Sequence, residues 1–159
     1  MKTLVVYYAR THAFKLLALA IISNLGADGE ELIEAKKRSG PEPIRHLVES
    51  IDARRRKLTS ICVQKSPQDY DLIVIGTPLL FGRVTPVVRA YLVSQNFEGK
   101  KVGFFFKGRE SATEKVVEEL KRLTPKSTFM GSLNVTEDQL RSGGTYLLKI
   151  KPFVDRLEK

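Results

Sequence analysis

The sequence has one cysteine, Cys62, and two histidines, His12 and His46, which lie far apart. A single cysteine cannot form an internal disulfide, and the histidines lack the spacing of metal ligands, so a structural zinc site within one chain is excluded. No stretch approaches the roughly 20 apolar residues of a membrane-spanning helix. The apolar opening segment is also too short for the core of a signal peptide. We therefore expect a cytoplasmic protein with no membrane partner.

The sequence also lacks a recognisable set of nucleophile, base and orienting residue. Cys62 has no histidine near it in sequence, and Ser111 has no evident base. Neither is therefore predicted to be catalytic. No RNA- or DNA-binding motif is present, and aromatic residues are not interleaved with the basic runs.

The chain carries a strong excess of positive charge, with 27 Lys and Arg residues against 18 Asp and Glu, a formal net charge of +9. The basic residues cluster at Lys36–Arg38, Arg54–Lys57, Lys100–Lys101, Lys107 with Arg109, and Lys121–Arg122. Such a surface attracts nucleic acid or other polyanions through counterion release. It is also typical of a solvated surface that maintains solubility, the interpretation that we favour. The sequence leaves both interpretations open.

Apolar runs alternate with helical periods along the chain. Runs that are apolar on both faces, as in a covered parallel sheet, predict strands at 3–8, 31–35, 72–76, 102–106 and 128–135. Apolar stripes predict helices over 14–25, around 47–51, 84–92 and 116–123, and over 146–157, where Pro152 requires a kink or a late start. This alternation over 159 residues predicts a single α/β domain, 1–159, with a doubly wound parallel sheet. Ligands bind such sheets at the carboxyl ends of the strands.

Four segments resemble the flavodoxin family: LVVYYARTHAFK at the start, residues 69–92, KKVGFFFKG with the helix after it, and the closing strand, loop and helix. The chain is identified as similar to the short, single-domain members. The resemblance implies a three-layer α/β/α sandwich with a five-stranded parallel sheet in the order 2-1-3-4-5. It further implies FMN as cofactor and electron transfer or quinone-type reduction. The partner would be a redox protein or a small acceptor, and related proteins often form homodimers.

The first cofactor loop departs from the family. Ser/Thr-x-Thr-Gly-x-Thr is there replaced by Ala9, Arg10, Thr11, His12, Ala13 and Phe14. Ala9 and Phe14 each remove a hydroxyl, which costs about 3–6 kcal/mol in all, or about 10²- to 10⁴-fold in affinity. If the glycine position needs a positive φ, His12 adds strain of about 1–2 kcal/mol. Phe14 is expected to be bulky at the phosphate entry. Arg10 and His12 either offer charge to a phosphate or are solvated side chains at the tip of the loop.

The second loop covers Thr77, Pro78, Leu79, Leu80, Phe81 and Gly82. The resemblance implies a turn at Gly76–Pro78 and a loop along the flavin ring. The usual stacking aromatic is replaced by Leu80, so Phe81 either stacks on the flavin or is buried against the next helix. Thr77 and Thr85 are predicted to be hydrogen-bond donors or helix caps.

The third loop contains Lys107, Gly108 and Arg109, where the family has small residues. Its two cations either close over an anionic flavin or obstruct it. With flavin bound, they would stabilise the reduced anion and raise its potential.

Three functions are compatible with these departures. The first is an FMN-dependent redox protein with weakened cofactor affinity. The second is a flavin-free basic module that binds RNA, a ribonucleoprotein or an acidic protein. The third is a site adapted to another phosphorylated ligand. Fold alone does not decide among them.

Overall fold

The structure is a computed structural model that describes residues 1–34 and 61–159. Its strands are β1 (Thr3–Tyr7), β2 (Asp28–Glu31), β3 (Ile33–Glu34), β4 (Ile61–Cys62), β5 (Leu72–Leu80), β6 (Arg83–Val84), β7 (Lys101–Lys107) and β8 (Thr128–Val135). Its helices are α1 (His12–Leu25), α2 (Pro86–Ser94), α3 (Thr113–Leu123), α4 (Glu137–Arg141) and α5 (Leu147–Leu157). Short 3₁₀ helices span Pro67–Asp69 and Glu110–Ala112.

The main sheet runs β2-β1-β5-β7-β8, and these five strands are parallel. In chain order this is the 2-1-3-4-5 arrangement, so the predicted fold is confirmed. Helices cover both faces, which is why every residue of β1 is buried. One face packs Val6 and Ile73 with Val116 of α3, and the other packs Val5 and Leu133 with helices α1 and α5.

Helix α1 begins and ends where its capping residues require. Thr11 is the N-cap, and its hydroxyl accepts a hydrogen bond from the Phe14 N–H. Gly26 is the C-cap in the left-handed conformation, with φ of 56°. The helix starts at His12, two residues before the predicted start at residue 14, because its N-cap is Thr11.

Two strand predictions need correction. The second strand is Asp28–Glu31 rather than 31–35, and Ile33–Glu34 instead pairs with Ile61–Cys62. Strand β2 has no apolar run, so its sequence does not indicate a buried strand. Its buried Glu30 is instead stabilised by accepting the N–H groups of Gln64 and Lys65. Strand β5 extends to Leu80, beyond the predicted end at residue 76.

The remaining helices follow the sequence closely. Helix α2 starts at Pro86, a favourable first position, so Val84 belongs to β6 and not to this helix. Helix α5 contains Pro152 on its exposed side and still runs unbroken from Leu147 to Leu157. The helix predicted around 47–51 lies outside the described residues. Within the described part of the chain, no helix combines the length and hydropathy needed to cross a bilayer.

Candidate functional site

The three predicted cofactor loops follow β1, β5 and β7, which are neighbours in the sheet. Their carboxyl ends therefore share one edge, where ligands of doubly wound sheets bind.

Phe14 does not belong to a phosphate entry. Its side chain is fully buried and stacks on Phe105, with ring centroids 5.6 Å apart. The expectation that its ring obstructs the first loop is therefore wrong, because the chain buries this aromatic in the core between α1 and the sheet. Ala9, Arg10 and Ala13 are half-buried beside it.

His12 is the exposed first residue of α1. Among the described non-glycine residues, positive φ values occur at Phe81 and Lys126. His12 therefore carries no left-handed strain, and the predicted penalty does not apply. The N–H groups of His12 and Ala13 lie in the first turn, where no carbonyl of the helix can accept them. The first loop thus keeps a helix N-terminus, with its partial positive charge, while lacking most of the family's hydroxyls.

Lys15, one turn into α1, is committed to a carboxylate of the neighbouring strand. Its Nζ lies 2.7 Å from Glu31 Oε2, and the Tyr7 hydroxyl lies 3.5 Å from the same oxygen. The hydrogen bond to Glu31 raises the pKa of Lys15. Burial, followed by the Glu31 charge, raises the pKa of Tyr7. The positive charge of Lys15 is therefore paired with the Glu31 carboxylate beside the first loop.

The second loop is a β-hairpin and not a turn at Gly76–Pro78. Leu79 pairs with Val84, and Leu80 with Arg83, so Phe81 and Gly82 form a two-residue turn. Their φ values of 50° and 69° are those of the type I′ turn that joins right-twisted strands. Gly76 lies inside β5, where a Cβ would overlap the Phe105 ring. The glycine serves close packing within the sheet rather than chain reversal.

Three predicted residues of this loop face the interior. Thr77 is fully buried, and its hydroxyl donates to Pro78 O at 2.8 Å and lies 3.0 Å from Thr85 Oγ1. Thr85 occupies the N-cap position of α2, yet its side chain makes no capping bond. Pro78 and Leu80 are also buried. These three side chains lie in the interior because β5 continues past the expected turn, and their role as cofactor contacts stays a prediction.

Phe81 lies at the tip of the hairpin with 66% of its surface exposed. The alternative that it is buried against the next helix is therefore wrong. A bulky residue in the left-handed region stores about 1–3 kcal/mol of backbone strain, and such residues cluster at functional sites. Phe81 is therefore an exposed, strained aromatic at the edge of the sheet where doubly wound folds bind their ligands.

The third loop is tied to the start of α4. Lys107 Nζ lies 2.5 Å from Glu137 Oε2, and Arg141 Nε lies 3.3 Å from Glu137 Oε1. The hydrogen bond from Lys107 lowers the pKa of Glu137. Gly108 packs against Leu79, whose side chain a Cβ at that position would overlap. Arg109 remains exposed beside this pair.

A cleft of about 940 Å³ opens between the hairpin and the third loop. Its walls are residues 79, 81–82, 107–112 and 136–138. It therefore brings together the predicted residues Leu79, Phe81, Gly82, Lys107, Gly108 and Arg109, and it has no wall from the first loop. Sequence reasoning missed residues 136–138. These residues directly follow β8 and open helix α4. The signal in the sequence was the capping box of Thr136 and Gln139, which marks the start of a helix.

The charges around the cleft are mixed rather than basic. Lys107 and Arg109 face three carboxylates, those of Glu110, Glu137 and Asp138. Lys107 is paired with Glu137, so its charge is balanced within the protein, and the raised flavin potential stays a prediction. Within residues 1–34 and 61–159, no group of three or more His, Cys, Asp or Glu side chains is placed to hold a metal ion.

The sequence profile of the family described as Flavodoxin matches residues 34–142, more than half of the chain. The chain belongs to the flavodoxin family. The matched part of this flavodoxin includes the second and third loops and begins after the first loop. No protein of curated function matches it in sequence.

Solved structures share the fold of this flavodoxin at low sequence identity. The flavoprotein of Lactobacillus acidophilus NCFM in complex with FMN has 18% identity and a TM-score of 0.69, over 94% of this chain and 98% of that one. A candidate flavoprotein of Bacteroides eggerthii has 20% identity and a TM-score of 0.70, with the same coverage. The flavodoxin of Streptococcus pneumonia TIGR4 has 13% identity and a TM-score of 0.56, over 99% of this chain and 98% of that one.

Proposed function

We propose that this flavodoxin binds FMN in the cleft between the hairpin and the third loop and uses it for electron transfer or quinone-type reduction. The observation that carries the proposal is the exposed Phe81, held in a strained turn at the mouth of a ligand-sized cleft. Ligand pockets typically measure about 300–1,000 Å³, so the cleft volume is compatible with a flavin ring. FMN-bound and flavodoxin structures of the same fold support the choice of cofactor.

The ring part of the site fits an isoalloxazine. Phe81 offers an aromatic face and Leu79 an apolar wall, while Gly108 leaves room for the Leu79 side chain that forms this wall. Aromatic stacking of this kind contributes about 1–3 kcal/mol per base in nucleic-acid complexes. The chain thus supplies the apolar contacts that orient a planar ring.

The phosphate part fits less well. The helix N-terminus at His12 and Ala13 favours an anion, but the Phe14 N–H already donates to Thr11 Oγ1 at 3.3 Å and is therefore not open to a phosphate. Lys15 is paired with Glu31 and so does not strengthen the anion site. We infer that FMN is held mainly through its ring and that its affinity is weakened.

Bound FMN would supply one- and two-electron chemistry. The residues around it would orient the ring and set the local charge. Lys107 is restrained by Glu137, so Arg109 is the cation of the third loop that remains exposed. A small acceptor would reach the ring from the open side of the cleft.

A second function is favoured by the distribution of charge. Residues 35–60 carry eight of the 27 Lys and Arg residues and three of the 18 acidic ones, so five of the nine net positive charges lie in this segment. A flavin-free module that binds RNA or another polyanion would use such a concentration. The basic run Arg54–Lys57 is part of it.

Two measurements separate these functions. Purified protein that is yellow and releases FMN on denaturation supports the redox function. Colourless protein whose melting temperature is unchanged by millimolar FMN would contradict it. Elution from heparin with a steep dependence on salt favours the polyanion-binding module, whereas a flat dependence counts against that module.

A further inference from the structure

Strand β8 forms an edge of the sheet. It pairs with β7, and no other strand of the described residues pairs with its outer side. Val135 directs its carbonyl toward β7, where it accepts the Gly108 N–H at 3.2 Å. The direction of the backbone N–H and C=O groups alternates along a strand. The N–H and C=O groups of Ser132 and Asn134 therefore point away from β7, toward the open edge. An open edge of this kind is a template for another strand.

A groove of about 470 Å³ follows this edge. Residues 132–134 of β8 line its floor, Glu110 and Thr113 lie on one side, and residues of α5 lie on the other. The two sides come from different layers, since α3 and α5 pack on opposite faces of the sheet. The groove therefore lies along the edge of the sheet between the two helical layers, where an added strand would lie.

The α5 wall combines apolar surface with positive charge. Leu148 is 80% exposed and lies beside the exposed Pro152, and both line the groove. Lys149 and Arg156 line the same wall, against the single carboxylate of Glu110. Lys149 Nζ already reaches the edge, where it donates to Asn134 O at 3.3 Å.

A buried acceptor in the groove lacks a partner. The amide of Asn134 donates from Nδ2 to Thr113 Oγ1 at 3.3 Å, while its Oδ1 is buried and unbonded. Buried polar atoms are nearly always hydrogen-bonded in folded proteins. A rotation of the Asn134 side chain that exposes this oxygen would let an N–H group in the groove satisfy it.

We propose that the groove receives an extended, acidic segment of a partner protein, which lies along β8 as an additional strand. Its backbone would bond the outward groups of Ser132 and Asn134, its acidic side chains would face Lys149 and Arg156, and its apolar side chains would cover Leu148 and Pro152. This is strand addition, in which the backbone gives affinity and the alternate side chains give specificity. The net charge of +9 would steer an acidic partner toward the chain.

A second copy of this chain is a less favourable occupant. Two-fold pairing of β8 edges would bring the Lys149 and Arg156 side chains of both copies together, and like charges across an interface are disfavoured. The proposed segment does not depend on flavin, because the groove and the flavin cleft share only Glu110.

The test is an amide NMR titration of the full chain with a synthetic peptide of alternating glutamate and valine, against a matched peptide of alternating lysine and valine. We expect shifts at 131–135 and along α5 with the acidic peptide alone. Arg156→Glu should weaken its binding about tenfold or more, as reversal of an interfacial charge predicts. Leu148→Ser, at an exposed position, should weaken binding without unfolding the chain.

Lys151→Glu is the matched control, because Lys151 is an exposed residue of the same helix outside the groove, 3.5 Å from Asp155. Its affinity for the acidic peptide should stay within about twofold, since a charge outside the contact acts only through screened, long-range attraction. Equal weakening by both charge reversals would overturn the proposal. So would the absence of shifts at millimolar acidic peptide, shifts confined to other surfaces, or a dimer in sedimentation equilibrium with the groove at its interface.

Discussion

Phe81 is the residue at which the backbone and the proposed ligand make opposite demands. Its φ of 50° favours asparagine or glycine, whereas a flavin ring favours an aromatic. We expect Phe81→Asn to stabilise the flavin-free protein by up to about 1 kcal/mol, because the short polar side chain of asparagine hydrogen-bonds locally and tolerates left-handed backbone better than a bulky ring does. It should also weaken FMN binding by about 10- to 100-fold through lost stacking. Urea unfolding and fluorescence titration measure the two effects.

Lys126→Asn is the matched control for that change. Lys126 is the other described non-glycine residue with a positive φ, 61°, and its Nζ lies 3.1 Å from Glu98, outside the cleft. It should gain similar stability and leave FMN affinity unchanged. If both substitutions weaken FMN equally, Phe81 is not a ring contact.

The burial of Phe14 limits which substitutions can restore the family's phosphate-binding residues in the first loop. A design that restores the family's loop would include Phe14→Thr, but this side chain is fully buried against Phe105. We expect Phe14→Thr to lower the free energy of unfolding by about 3–5 kcal/mol, the usual cost of truncating a buried aromatic. Ala9→Ser, in the same loop, should cost far less. Near-wild-type stability of Phe14→Thr in urea unfolding would contradict the packing described above.

Among the helices, α2 and α3 are joined by a buried ion pair. Arg89 Nη2 lies 2.5 Å from Glu119 Oε1, with 4% and 10% of the two side chains exposed, and Arg89 Nη1 is buried without a partner. Removing one charge by Glu119→Leu should cost about 3–5 kcal/mol, because it leaves a buried cation unpaired. The double change Arg89→Met with Glu119→Leu should recover most of that loss. In a double-mutant cycle, additive effects would show that the pair is not coupled.

The link between the third loop and α4 makes stability depend on pH. Lys107 lowers the pKa of Glu137 below its ordinary 4.5, so folding is favoured by this pair above that pH. The contribution fades as pH falls through the lowered value. Because Glu137 is half-exposed, we expect less than about 1 kcal/mol. Glu137→Gln should therefore be less stable than wild type at pH 7 and equal to it in strong acid. A difference that persists in strong acid would exclude the ionic cause.

The sequence predicted the bounds of a strand or helix where its apolar pattern matches the residues that are buried in the fold, or where a capping residue marks its end. Strand β8 spans the predicted 128–135, and Gly26 ends α1 as expected, because an apolar run and a left-handed cap are local signals. Strand β2 was misplaced, since its buried Glu30 is stabilised by N–H groups 34 and 35 residues away. The hairpin at Phe81 was missed because a phenylalanine with positive φ contradicts local preference.

At the scale of the whole molecule, the strand order places three loops at one edge, and the resemblance identified two of the three cleft segments. The third segment, 136–138, follows β8, and its capping box is a local signal for the start of a helix but not for a ligand site. The first loop lies at the same edge but lines no part of this cleft. The proposed ring site is therefore separate from the helix N-terminus of the first loop, which the sequence pattern alone did not imply.

The most direct measurement compares FMN with riboflavin, which has the same ring without the phosphate. If the cleft holds the ring and the first loop contributes little, both flavins should bind the flavin-free protein with dissociation constants within about tenfold, or about 1.4 kcal/mol, of each other. Fluorescence quenching at constant ionic strength gives both constants. Preference for FMN by more than about 100-fold would show a functional phosphate cradle. Failure of both flavins to bind at millimolar concentration would show that the cleft does not accept the ring.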